Sequence, residues 1–137
     1  MIHAVIDTNV IVAALLTHNI ESATIKVLNA IEKGQLVPIY NDEIIDEYFD
    51  VLSRTKFHFT KENIKRHISI FYDKGVRAER VCTKETFHDP KDVVFYEVAL
   101  SKEDAYLITG NIKHFPQKPI VVSSAEMIEI LARTVQD

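Results

Sequence analysis

Residues 4–15 read "AVIDTNVIVAAL", with Asp7 in their middle. An ionised carboxylate among apolar side chains is costly unless a proton, a partner or a cation offsets it. Two other acids have comparable surroundings. Glu47 lies within "EIIDEYFDVL" at residues 43–52, and Asp92 precedes the apolar run of "DPKDVVFYEVAL" at residues 89–100. If the fold brings the three together, their mutual repulsion calls for protonation or a metal ion. Carboxylate oxygens suit Mg²⁺ or Mn²⁺. The six histidines and the single cysteine show no zinc spacing. With three glycines there is no phosphate loop or dinucleotide fingerprint, and no G-x-S-x-G motif occurs.

The elements that must position these acids follow from periodicity and punctuation. Residues 2–6, 36–40, 105–109 and 120–122 are short, mainly apolar runs that read as strands, and 78–82 is expected as a further short strand. Helices are expected over 9–16, 21–33, 41–52, 61–74 and 90–102, with a last one after Ser123 or Ser124. Asp7 or Thr8, Asn41, Thr60 and Asp89 are their caps, and Gly34 and Gly75 are stops. Strands alternating with helices predict an α/β fold with a parallel sheet of about five strands covered on both faces. Ligands in such folds bind beyond the carboxyl ends of the strands, where the strand order reverses. Asp7-Thr8-Asn9, the helix carrying Glu47, His88–Asp92 and Thr109-Gly110-Asn111 all follow strand ends. On the 41–52 helix, Asp46 and Asp50 fall opposite the apolar stripe, whereas Glu47 falls on its edge and can reach inward. Asp89 is explained by capping, and for Asp92 capping and a cleft role weigh equally. Asp7 either caps the next helix or joins the cluster. Cys82, within the expected 78–82 strand, reads as inert core.

A chain of 137 residues, 47% hydrophobic and 26% charged, is expected to form one domain over 1–137. The lone cysteine excludes an internal disulfide and favours a reducing, cytoplasmic setting. The N-terminal apolar run reads neither as a signal peptide nor as a membrane span. The net charge of −4 is unevenly spread, since residues 54–84 carry nine Lys/Arg against three acids. A solvated basic helix is the simpler explanation. Lys61, Lys65, Arg66, Lys113 and His114 are nonetheless candidates for gripping a phosphate backbone.

"VIDTNVIVAAL", "EIIDEYFDVL", "DPKDVVFYEVAL" and "DAYLITGN", in this order and spacing, resemble the PIN-domain ribonucleases, and most of all the toxins of bacterial and archaeal toxin–antitoxin pairs. The resemblance implies a three-layer α/β/α sandwich and Mg²⁺- or Mn²⁺-dependent endonucleolytic cleavage of RNA, leaving 5′-phosphate and 3′-hydroxyl ends. It implies Asp7, Glu47 and Asp92 as catalytic, metal-holding acids, with Asp89 and Asn111 as further ligand candidates. Thr8 and Asn9 match the polar pair after the first acid and, with Thr109, Arg66 and Lys113, are candidates for positioning substrate. It also implies a protein antitoxin and a homodimer. Asn111 departs from the pattern, because many relatives carry an Asp there. That leaves a catalytically degenerate RNA- or protein-binding module as the alternative. A phosphatase using Asp7 as nucleophile would need a second acid where this chain has Asn9.

Overall fold

The computed structural model describes residues 1–136. Five strands, β1 (Ile2–Ile6), β2 (Leu36–Tyr40), β3 (Val76–Arg77), β4 (Tyr106–Ile108) and β5 (Val121–Val122), form one sheet in the order β3-β2-β1-β4-β5. Every pairing is parallel, with Ala4 opposite both Pro38 and Tyr106. β1 is central, and its Ala4, Val5 and Ile6 are fully buried. Six helices surround the sheet: α1 (Thr8–Leu16), α2 (Ala23–Glu32), α3 (Asp42–Leu52), α4 (Lys61–Lys74), α5 (Val93–Leu100) and α6 (Ser124–Gln136). α2 packs on α6, α4 and β2, while α5 lies against β1, β2 and β4. The chain moves outward from β1 to β3 and then returns across the sheet to β4. Right-handed crossovers in opposite directions place their helices on opposite faces, so the architecture is the expected three-layer sandwich. Among the described residues no helix is long and apolar enough to cross a membrane.

Local chemistry sets the element ends. Asn41 Oδ1 accepts from Ile44 N (2.9 Å) at the start of α3, and Thr60 Oγ1 from Asn63 N (3.1 Å) at the start of α4. Gly34, at φ 76°, ends α2 in a Schellman turn closed by Gly34 N to Ile31 O and Gln35 N to Ala30 O. Gly75 is needed for a different reason. A Cβ there would stand 2.5 Å from Phe71 O and 2.6 Å from Pro38 O, both backbone atoms.

Three expectations are corrected. Residues 78–82 form no strand, and β3 is the two-residue segment before them. β2 ends at Tyr40 because Asn41 leaves the sheet to cap α3. The ladder therefore runs out once Ala78 N has bonded Tyr40 O (2.8 Å). Cys82 is accordingly exposed rather than core. The helix expected over 90–102 begins instead as a 3₁₀ turn, Pro90–Asp92, with α5 proper starting at Val93. Asp89 Oδ1 accepts from Lys91 N (2.9 Å), two residues on, and tightens that first turn.

Candidate active site

The first acid is fixed by two strand ends. β1 stops at Ile6, and Asp7 N donates to Ile108 O at the end of β4 (2.9 Å). Asp7 holds the N-cap position of α1, yet its side chain makes no capping bond. The carboxylate turns toward β4 instead, where Oδ2 accepts from Thr109 Oγ1 (2.8 Å) and Asn9 Nδ2 (3.3 Å). Asn9 Oδ1 in turn accepts from Gly110 N (3.0 Å), and Thr109 Oγ1 from Asn111 N (2.9 Å). Thr109 is fully buried and Asp7 is 7% exposed. Asp7, Thr8, Asn9, Thr109 and Asn111 thus share one corner, where the chain reverses direction across β1.

α3 and α5 bring the other two acids toward this corner. Tyr48, fully buried, donates its hydroxyl to Ile6 O, the carbonyl just before Asp7. This bond pins α3 to the end of β1. Glu47, the adjacent residue, is half-buried, while Asp46 and Asp50 face solvent. Asp92 sits where the 3₁₀ turn meets α5 and makes no capping bond. Its Oδ2 is buried and has no hydrogen-bond partner, with His114 Nδ1 3.7 Å away. Thr8 Oγ1 is the other buried side-chain polar atom in that condition among the described residues. A buried oxygen left unpaired costs roughly 1–3 kcal/mol, and both such atoms belong to this corner of the molecule.

The electrostatics agree. Burial pushes the Asp7 carboxyl up to about 6, the Thr109 hydrogen bond opposing and the charges of Asp92 and Glu47 adding. Asp92 is also raised, first by burial and then by Asp89, with His114 opposing and Glu47 adding. The three carboxyls are near enough to repel one another. Among the described residues, however, no three His, Cys, Asp or Glu side chains are gathered into a cage for an ion. Mg²⁺-like ions characteristically keep several waters and bind through one or two carboxylates plus substrate phosphate. An open set of hard oxygens, one of them buried without a partner, fits that mode.

The remaining candidates divide. Asp89 is exposed, with one oxygen engaged by Lys91 N. Asn111 is exposed beside the corner, and its side chain caps nothing. Lys113 follows it in the exposed 3₁₀ turn Ile112–His114. Arg66 does not join the cluster. It reaches Glu32 at 3.9 Å, at the end of α2 that leads into the start of β2, away from the carboxyl ends of the strands. The acids that the resemblance singled out do not include Glu97, which is buried in α5. Glu97 accepts from Arg80 Nε (2.8 Å) and Thr83 N (2.8 Å). Burial acts upward on this carboxyl, but the Thr83 amide and Arg80 outweigh it and hold it low. Tyr48, hidden within an apolar stripe, gave no sequence signal of its anchoring bond.

No curated protein and no solved structure matches the chain. A family model described as PIN domain matches residues 3–113, a span that runs from β1 past Asn111. With that match over most of its length, and the parallel sheet and acidic corner that its residues build, the chain belongs to the PIN domain family.

Proposed function

We propose that this protein is a Mg²⁺- or Mn²⁺-dependent endoribonuclease, acting as the toxin of a toxin–antitoxin pair, with Asp7, Glu47 and Asp92 as its essential acids. PIN domains are generally metal-dependent nucleases that bind RNA. The observation that carries the reading is the buried, unpartnered Asp92 Oδ2 beside an Asp7 held near pKa 6 by burial and by its acidic neighbours.

A bound divalent cation would supply an acidified water and offset charge on the phosphate oxygens. Asp7, oriented by Thr109 and Asn9, is the anchor of the ligand set. Asp92 offers its free oxygen, and Glu47 is held nearby through Tyr48. Asn111 and Lys113, at the rim, are the groups that would meet the strand being cut. In this reading Asp89 spends its charge on the local turn and on its neighbour Asp92 rather than on an ion. The antitoxin and the homodimer rest on the sequence resemblance, and the cytoplasmic setting on the lone cysteine.

The test is cleavage of single-stranded RNA by the purified protein. Asp7→Asn and Asp92→Asn each lower the rate by at least about a hundredfold, and EDTA abolishes it until Mn²⁺ is restored. Full-rate cleavage by Asp7→Asn overturns the assignment. Asn111, uncharged where many relatives carry an acid, favours one second reading, a metal-free RNA-binding module. Calorimetry distinguishes them, since that module binds no Mn²⁺.

A further inference from the structure

Glu47 stands on α3 and Asp92 at the start of α5, and the residue that ties these two helices together lies outside the acidic corner. Where the helices touch, the rings of Tyr48 and Phe95 meet with centroids 6.4 Å apart. Apolar contact is non-directional, so it fixes the spacing of the helices better than their orientation. The directional link is Arg80, in the segment 78–89 that runs from β3 to the 3₁₀ turn before α5. Arg80 Nε donates to Glu97 Oε1 on α5 (2.8 Å), and Nη2 stands 2.7 Å from the same oxygen. Nη1 donates to Glu43 Oε2 on α3 (2.8 Å). Among the described residues no other basic side chain pairs with two acids, and no other side chain hydrogen-bonds to both helices.

Glu43 lies one helical turn before Glu47, and Glu97 lies in the helix that Asp92 opens. The bridge does more than anchor its own segment. Val81 N to Glu97 O (3.1 Å), Thr83 N to Glu97 Oε2 (2.8 Å) and Phe87, packed on Tyr96 and Phe115, already hold residues 81–87 in place. None of these ties reaches α3. An exposed ion pair on its own contributes little. Here Glu97 is buried and orients the guanidinium, so the further bond to Glu43 costs little additional side-chain entropy. Carboxylates that share an ion must be held to within about 0.5 Å. The mutual repulsion of Glu47 and Asp92 works against that, pushing their helices apart.

We infer that Arg80 is a positioning residue for the acidic site, bridging Glu43 and Glu97 so that α3 and α5 present Glu47 and Asp92 at a separation one cation can span. The inference rests on the nuclease reading for that cation. It is tested on the full chain by Mn²⁺ calorimetry and, in EDTA, by residual dipolar couplings that report the angle between α3 and α5. If charge alone matters, removing a cation near the acids leaves Mn²⁺ binding unchanged or tightens it. Breaking the bridge has the opposite sign, and Arg80→Gln weakens Mn²⁺ binding about fivefold. Glu43→Ala leaves the buried Arg80–Glu97 pair in place, so the domain folds, yet it too reorients the helices. In the Glu43→Ala background, Arg80→Gln causes no further weakening, because the bridge is already gone. Unchanged or tighter Mn²⁺ binding by Arg80→Gln, further weakening in the double variant, or wild-type dipolar couplings in either single variant overturns the clamp. If wild type binds Mn²⁺, Asp7→Asn does not, and Arg80→Gln matches wild type, only the clamp falls. If wild type binds no Mn²⁺, the nuclease reading falls, and the couplings in EDTA still decide whether Arg80 sets the two helices.

Discussion

Replacing Asp7 by Asn removes a charge that the fold holds at a cost, and that cost can be measured without any activity assay. The Asp7 carboxyl moves from its ordinary 3.8 to about 6 on folding. A carboxyl raised in the folded state keeps its proton there after the unfolded chain has lost it. Stability attributable to this group therefore falls as pH rises from about 4 to 6, and the full penalty applies above that. At about 1.4 kcal/mol per pH unit, the penalty is roughly 1 kcal/mol at pH 4.5 and roughly 3 kcal/mol at pH 7.5. Asn has the same shape, and its amide oxygen still accepts from Thr109. Asp7→Asn is therefore more stable than wild type in EDTA, and the gap widens by about 2 kcal/mol between those two pH values. The assay is urea denaturation of both proteins at several pH values, with equal slopes confirming that only stability has changed. Adding Mn²⁺ at pH 7.5 narrows the gap, because ligand binding stabilises the wild-type folded state selectively. A variant no more stable than wild type at pH 7.5, or a gap independent of pH, refutes the claim that Asp7 is held against burial and its acidic neighbours.

Other outcomes follow from the same structure. Tyr48→Phe leaves Ile6 O without its donor and costs about 1–2 kcal/mol. Because α3 loses its tie to β1, RNA cleavage falls as well, read as a lower rate at unchanged RNA affinity. Glu97→Ala removes the acceptors of Arg80 Nε and Thr83 N, leaving Arg80 its pair with Glu43, and costs about 1–2 kcal/mol after discounting for the partly exposed Arg80. Its signature is faster amide exchange across residues 81–87, with α3 and β1 unchanged. Gly75→Ala drives a methyl into the carbonyls of Phe71 and Pro38 and lowers stability by about 1–3 kcal/mol in thermal unfolding.

Much of the scaffold is written locally. β2, α3 and α4 stand where their caps and apolar runs put them, because Asn41 and Thr60 act on residues only a few positions away. The parallel sheet was legible because strands buried on both faces must be continuously apolar. So was the inward lean of Glu47, since helical periodicity alone separates it from Asp46 and Asp50. The error at residues 78–82 had another source: Glu79 and Arg80 interrupt that segment, so it lacks the continuous apolar run of a doubly covered strand, and β2 had already ended beside it.

What the sequence determined by itself was the layered fold, the ends of β1 and β2 and the residue types available there. Only the tertiary structure decided how those residues are spent. It turned Asp7 from helix cap to acceptor for Thr109, 102 positions away, and left an oxygen of Asp92 buried without a partner. It took Arg66 to Glu32, before the start of β2 and away from the carboxyl strand ends. The physical reason is range. Capping and periodicity act across one or two turns, whereas hydrogen bonds between strand ends, burial and charge repulsion depend on groups that meet only after the sheet has closed.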